Sequence, residues 1–431
     1  MRLTTVGWLA LLTVRGAYGQ AAEQSLTLTL QDALARARLY SQDVYSSQLA
    51  ARIAHEDTLQ AKAARLPTVN WANQFIYTQP NGTPSGVFIS NDGPHVYNNQ
   101  AIVHADVFAP ERRAEMRRAA AAEALARARS EIALRGLTAV VAQNYYAVLS
   151  AQRDVTNATQ SLQEAQQFLD LTRKQEAGGE VSHADSVKAE LLTEQRRRDK
   201  QNAQLALDKA RIGFAVLLFP DYGQPYSLVD DLENQIAIPP FTEIQAMAAR
   251  NSPETRAAQA AVQQQTSEIS LARAAMLPTL SFDYYYGINA NQYAVWDRDH
   301  LRNLGSAASA QLNIPVWNWG ATRSKVRQAE LRLQQARNDL SLTQRQLLAN
   351  LNAFYLEADA GALQAASLRH SVDLAEESLR LALLRYQAGE ATALEVSDAQ
   401  TSAADARSAF TAGLVRRRVA VATLQTLTGA F

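Results

Sequence analysis

The chain has 431 residues, 47% of them hydrophobic and 19% charged, with 42 basic side chains against 42 acidic ones. A net charge of zero supplies no basic field for phosphate, so no nucleic-acid partner is expected. There is no cysteine, which excludes disulfides, thiolate metal sites, cysteine nucleophiles and a lipidated N-terminal cysteine.

The N-terminus reads as an export signal. Met1-Arg2 is a short basic start, Leu3 to Val14 is an apolar stretch, and Ala17-Tyr18-Gly19 is a small-x-small cleavage site. Residues 1–19 are therefore expected to be removed. Beyond them no apolar run reaches the roughly 18 residues of a membrane-spanning helix. An exported chain of this kind either stays in solution or enters a membrane as strands.

A helical stretch over Ser41 to Arg65 comes next and ends at Leu66-Pro67. An alternating segment follows, with Val69, Trp71, Phe75 and Tyr77 on one face and Asn70, Gln74 and Thr78 on the other. A polar loop, Pro80 to Asn99, leads to a second alternation. There Ala101, Val103, Ala105 and Val107 are set against Gln100, His104 and Asp106. One apolar face and one polar face suit a barrel between lipid and water, and equally a half-buried sheet of a soluble sandwich.

From Glu111 to Ala177 there is no proline and one glycine, Gly136. A helix of that length spans roughly 100 Å. Leu134, Val141, Val148, Val155, Leu162 and Leu169 lie seven apart, a repeat that supercoils helices against their neighbours. Gly178-Gly179 should end this rod, and Ser182 with Asp185 should cap the next helix. A proline-rich joint occupies 220–241.

The same order then recurs at an offset of 209 to 211 residues. Ala63-Ala64-Arg65-Leu66-Pro67-Thr68-Val69 returns as Ala274-Ala275-Met276-Leu277-Pro278-Thr279-Leu280. The strand pattern returns as Leu280, Phe282, Tyr284, Tyr286 and Ile288, then as Ala308, Ala310, Leu312, Ile314 and Val316. Tyr145-Tyr146 is matched by Phe354-Tyr355. Heptads return at Val326, Leu333, Leu340, Leu347 and Phe354. The second reversal falls at Gly389, with Thr392 and Glu395 as its capping pair. Two structural repeats, 20–219 and 242–431, are thus expected around the 220–241 joint. Each holds a strand pair and a long helical hairpin.

No enzyme is expected. There is no Gly-Lys pair for a phosphate loop, no Gly-x-Ser-x-Gly elbow, and no His-x-x-x-His pair among six scattered histidines. Neither a metal nor a cofactor is implied.

The helix–Leu-Pro–strand junctions carry a resemblance. So do Pro315-Val316-Trp317-Asn318-Trp319-Gly320, Arg385-Tyr386-Gln387-Ala388-Gly389 and Glu395-Val396-Ser397-Asp398-Ala399-Gln400. In this order, and duplicated, they resemble the TolC family of bacterial outer-membrane channel proteins. The resemblance implies a mainly α fold with a membrane β-barrel. A homotrimer would share a 12-stranded barrel in outer-membrane lipid, joined to a periplasmic α-helical barrel. It implies an exit duct for efflux or type I secretion. Its partners would be a periplasmic adaptor (membrane fusion) protein and an inner-membrane transporter. On the same resemblance Glu395, Asp398 and Tyr386 form the periplasmic constriction. Gly178, Gly179 and Gly389 mark the tip turns where the adaptor docks, and Pro67 and Pro278 open the strands. Composition alone leaves a rival, a secreted structural coiled-coil protein with small β caps.

Overall fold

The computed structural model describes residues 26–77, 95–234 and 236–430. The expected signal segment, the tip of the first strand-pair loop and the terminal Phe431 lie outside them.

The elements run β1 (Leu26–Leu28), α1 (Leu30–Tyr40), α2 (Gln42–Ala63), β2 (Thr68–Tyr77), β3 (His95–Phe108), α3 (Pro110–Ala177) and α4 (His183–Leu218). Then come β4 (Tyr226–Leu228), α5 (Phe241–Asn251), α6 (Pro253–Ala274), β5 (Thr279–Ala290), β6 (Leu304–Asn313), α7 (Ala321–Gln387) and α8 (Ala393–Thr428). The duplication is visible in element lengths. α1 and α5 both have 11 residues, α2 and α6 both have 22, and α4 and α8 both have 36. Ser41 and Ser252 cap α2 and α6 in the same way, each accepting from the backbone N–H three residues on.

β2, β3, β5 and β6 form one antiparallel sheet in that order. Its register places Val69 opposite Val103, Val103 opposite Tyr284 and Tyr284 opposite Ala308. The four apolar rows read from the sequence therefore share one face as far as a bulge in β3, where Phe108 rather than Val107 stands opposite Leu280. That face is bare, with Trp71, Phe75, Tyr284 and Tyr286 all exposed. The other face carries Asn70, His104, Asp283 and Ser309. There His104 Nδ1 lies 2.6 Å from Asp283 Oδ1, and Arg112 donates to Asp106 at 3.1 Å.

Three expectations change. β3 starts at His95, inside the stretch read as loop. β6 stops at Asn313 and excludes Ile314 and Val316, because Pro315 lacks an N–H for the ladder. The 220–241 joint is not only a joint. Its β4 pairs in parallel with β1, Leu26 opposite Tyr226. Tyr145 on α3 donates to Val229 O at 2.6 Å, and Arg153 holds Asp230 and Glu233. The largest buried cluster gathers here, with Leu28, Leu34, Val141, Tyr145, Val148, Phe214 and Leu218.

α3 and α7 are the two rods, of 68 and 67 residues. Along α3, α2 and then α4 pack on one flank, and α6 and then α8 on the other. The burial pattern refines the alignment of the rods. Ala119 and Ala329, Glu123 and Leu333, Val141 and Leu351, Val148 and Ala358, and Leu169 and Leu379 are buried pairs, each 210 positions apart. This heptad register sets Tyr145 against Tyr355 rather than Phe354, because inward-facing positions must match in a packed rod.

Candidate channel entrance at the helical tips

Both rods reverse through the same backbone device. After α3, Gly178 N–H donates to Lys174 O at 3.1 Å and Glu180 N–H to Gln175 O at 2.9 Å. After α7, Ala388 N–H donates to Leu384 O at 3.1 Å and Glu390 N–H to Arg385 O at 2.8 Å. These bonds satisfy the last carbonyls of each helix. They need one left-handed residue each, supplied by Gly179 (φ 79°) and Gly389 (φ 77°). Gly178 is right-handed and has no such need.

The helices that follow are capped differently. Thr392 and Glu395 form the reciprocal capping box read from the sequence. Ser182 does not do the same for α4. Its hydroxyl donates instead to Asp185 at 2.7 Å, leaving no side-chain cap on the backbone. A carboxylate this close captures the hydroxyl before the backbone can. Glu176 answers from across that turn, accepting from His183 at 2.7 Å. The nearby Ser186 hydroxyl, then the bond from His183, hold the Glu176 carboxyl below its ordinary range.

Tyr386 is 3% exposed and joins the two tips. Its hydroxyl donates to Thr172 Oγ1 at 3.2 Å, and its ring meets Phe168 edge-on at 5.1 Å. Gln175 donates to its carbonyl at 3.4 Å. Burial pushes the Tyr386 phenol up, so it stays a donor at neutral pH. Glu395 is exposed and lies 3.4 Å from Arg385, which also donates to Glu390 O at 3.0 Å. Asp398 is exposed, one turn further along α8, with no ion-pair partner among the described residues. The structure thus brings Tyr386 onto α3 and leaves Glu395 and Asp398 facing solvent.

About 18 Å along α8 from Glu395, at 1.5 Å per residue, Arg407 fastens three helices. It is nearly buried, grips Glu164 of α3 with both terminal nitrogens (2.9 and 3.2 Å), and donates from Nε to Glu376 of α7 at 2.9 Å. Burial alone would lower its pKa, but these carboxylates outweigh it and the guanidinium pKa rises. Thr172, Gln175 and Arg407 were not singled out from the sequence. A threonine or arginine in a helix carries no local sign of its partner 200 residues away.

At the other end of the rods, Pro67 and Pro278 each stand one residue before a strand, at Thr68 and Thr279. Fixed φ ends the helix and directs the chain into the sheet.

Residues 245–430 match the family model described as Outer membrane efflux protein. The cobalt-zinc-cadmium resistance protein CzcC of Cupriavidus metallidurans is 25% identical over 299 residues, covering 68% of each chain. A membrane protein from Pseudomonas aeruginosa superposes with a TM-score of 0.83 at 20% identity, covering 93% of both chains. The Campylobacter jejuni CmeC outer membrane channel superposes with a TM-score of 0.82 at 15% identity, covering 93% of this chain and 85% of that one.

Proposed function

We infer, because this chain belongs to the TolC family of outer membrane efflux proteins, that three copies close into one water-filled duct. The chain is an outer-membrane channel for efflux or secretion and not an enzyme. The carrying observation for closure is the open sheet. Four strands leave β2 and β6 with unpaired edges beneath a bare apolar face. Lipid does not tolerate unpaired strand edges, and four strands cannot close on themselves. Three copies of four strands give 12, an even number suited to an outer-membrane barrel. α7 supports the same reading. It presents Leu342, Leu356, Leu363, Leu374 and Leu381 to solvent, a row that needs a neighbour.

The two repeats, 20–219 and 242–431, would then alternate around the wall six times in all. The tips form the periplasmic entrance. Tyr386 acts as the latch between α7 and α3, and Glu395 with Asp398 supplies a ring of carboxylates that favours cations. The turns at Gly178, Gly179 and Gly389 are where a periplasmic adaptor docks, linking the duct to an inner-membrane transporter that supplies the energy. Pro67 and Pro278 set the change from helical wall to strand wall.

The test is mass and conductance together. Detergent-extracted protein should have the mass of a heat-modifiable trimer and should insert discrete channels into planar bilayers. A monomer that remains in solution without detergent, and forms no channels, would return the reading to the secreted coiled-coil alternative.

A further inference from the structure

One feature of the second repeat has no counterpart within a single chain. Arg135 of α3 reaches across to the place where α8 ends and α5 turns into α6. It donates to Thr426 O at 3.4 Å, Leu427 O at 3.5 Å and Asn251 O at 2.7 Å. These are carbonyls at helix C-termini, which carry partial negative charge; Thr426 O also accepts from the Gly429 N–H of its own cap. A guanidinium fork serves three of them at once.

The first repeat has the same junction. α4 ends beside the turn from α1 into α2, and Ser41 there copies the cap of Ser252. The repeat offsets map Asn251 to Tyr40, Thr426 to Val216 and Leu427 to Leu217. Yet Val216 is 61% exposed where Thr426 is 7%. The junction is an open cleft of about 490 Å³ with Tyr40, Ser41, Val216 and Leu217 in its walls. Pro220, lacking an N–H, cannot serve Val216 O in the helical manner.

The rods align 210 positions apart, so the counterpart of Arg135 is Arg345, again an arginine. It is exposed on α7, and its side chain bonds, among the described residues, to Ser341 O of its own helix at 3.4 Å. One turn earlier Leu342, also exposed, corresponds to Ile132, which shares one apolar cluster with Ala260 and Ala261 of α6. Their counterparts on α2 are Leu49 and Ala50, with Leu49 exposed. Leu342 and Arg345 lie on one face of α7.

We propose that Arg345 of one copy enters the α4–α1–α2 junction of the next and donates to the carbonyls of Tyr40, Val216 and Leu217, as Arg135 does within the chain. Leu342 packs on Leu49 beside it. This rests on the trimeric duct above and names the contact that joins its subunits. Around the wall, six equivalent arginines would then seal six equivalent junctions, three within chains and three between them.

A chain without cysteine makes the test clean. Arg345→Cys combined with Val216→Cys, treated with a short bismaleimide, should give covalent dimers and trimers on denaturing gels. Each single variant should stay monomeric there. The pair Arg337→Cys with Val216→Cys, two turns away on α7, should not link. In parallel, Arg345→Glu should lower the temperature at which the trimer dissociates, and Arg345→Lys should lower it less. A heat-modifiable trimer in which the Arg345→Cys pair stays unlinked, or in which the Arg337→Cys pair links instead, overturns the contact while leaving the duct. Absence of any trimer overturns both.

Discussion

Asp398 and Tyr386 differ in what surrounds them, and so in what their loss should do. Asp398 is exposed and, among the described residues, has no ion-pair partner, so Asp398→Ala should leave the folded chain intact. With Glu395→Ala added, the pair should raise single-channel conductance and reduce cation selectivity in planar bilayers. Unchanged selectivity would remove these carboxylates from the pore. Tyr386→Phe keeps the ring against Phe168 but deletes the bond to Thr172. The cost is about 1 kcal/mol, and the expected readout is more frequent opening at unchanged trimer stability. Arg407→Met is the heavier change, since it strands Glu164 with a buried flank.

Elements were legible where their signal is periodic. Heptads marked both rods, and alternation marked all four strands of the sheet and the face each row shares. Gly389 announced the reversal because a positive φ needs glycine there. No atom lies within 4 Å of a Cβ added at Gly389, so Gly389→Ala should cost about 1 kcal/mol from backbone strain alone. Gly178→Ala should be nearly neutral, and thermal melts of the two variants compare them directly. What stayed hidden was short or non-local. β1 and β4 have three residues each and exist only through one another. Ser182 has the spacing of a cap, but the competition with Asp185 is decided by geometry. The tie between α2 and α3 is equally silent in sequence. Glu123 is buried on α3, accepts from His55 at 2.8 Å and pairs with Arg127. Burial pushes its carboxyl up, but the His55 bond and the Arg127 charge prevail and hold it below its ordinary 4.5. A depressed folded value means the tie contributes fully above pH of about 4.5 and is lost as pH falls through the folded pKa. Glu123→Gln should therefore cost about 1–2 kcal/mol at pH 7 and much less near pH 3, measured by denaturant melts at both.

The whole assembly divides its surface by solvent. In the proposed trimeric duct the sheet face with Tyr284 would look to lipid and the face with Ser309 to water. Tyr284→Lys should cost about 2–4 kcal/mol if it sits near the bilayer midplane, while Ser309→Lys should be tolerated. Yield of heat-modifiable trimer in isolated outer membranes distinguishes them. Equal losses would mean that the sheet does not separate lipid from a lumen.

The parallel pairing of Leu26–Leu28 with Tyr226–Leu228 constrains how the molecule can be made. A chain exported head first delivers Leu26 two hundred residues before its ladder partner. Until then the early strand has no hydrogen-bonding mate, and the aromatic face of the hairpin behind it stays bare. Assembly of such distant pairings is slow, and the waiting segments are prone to aggregate. The short parallel ladder therefore closes late, and refolding of the chain should show its formation as a slow phase.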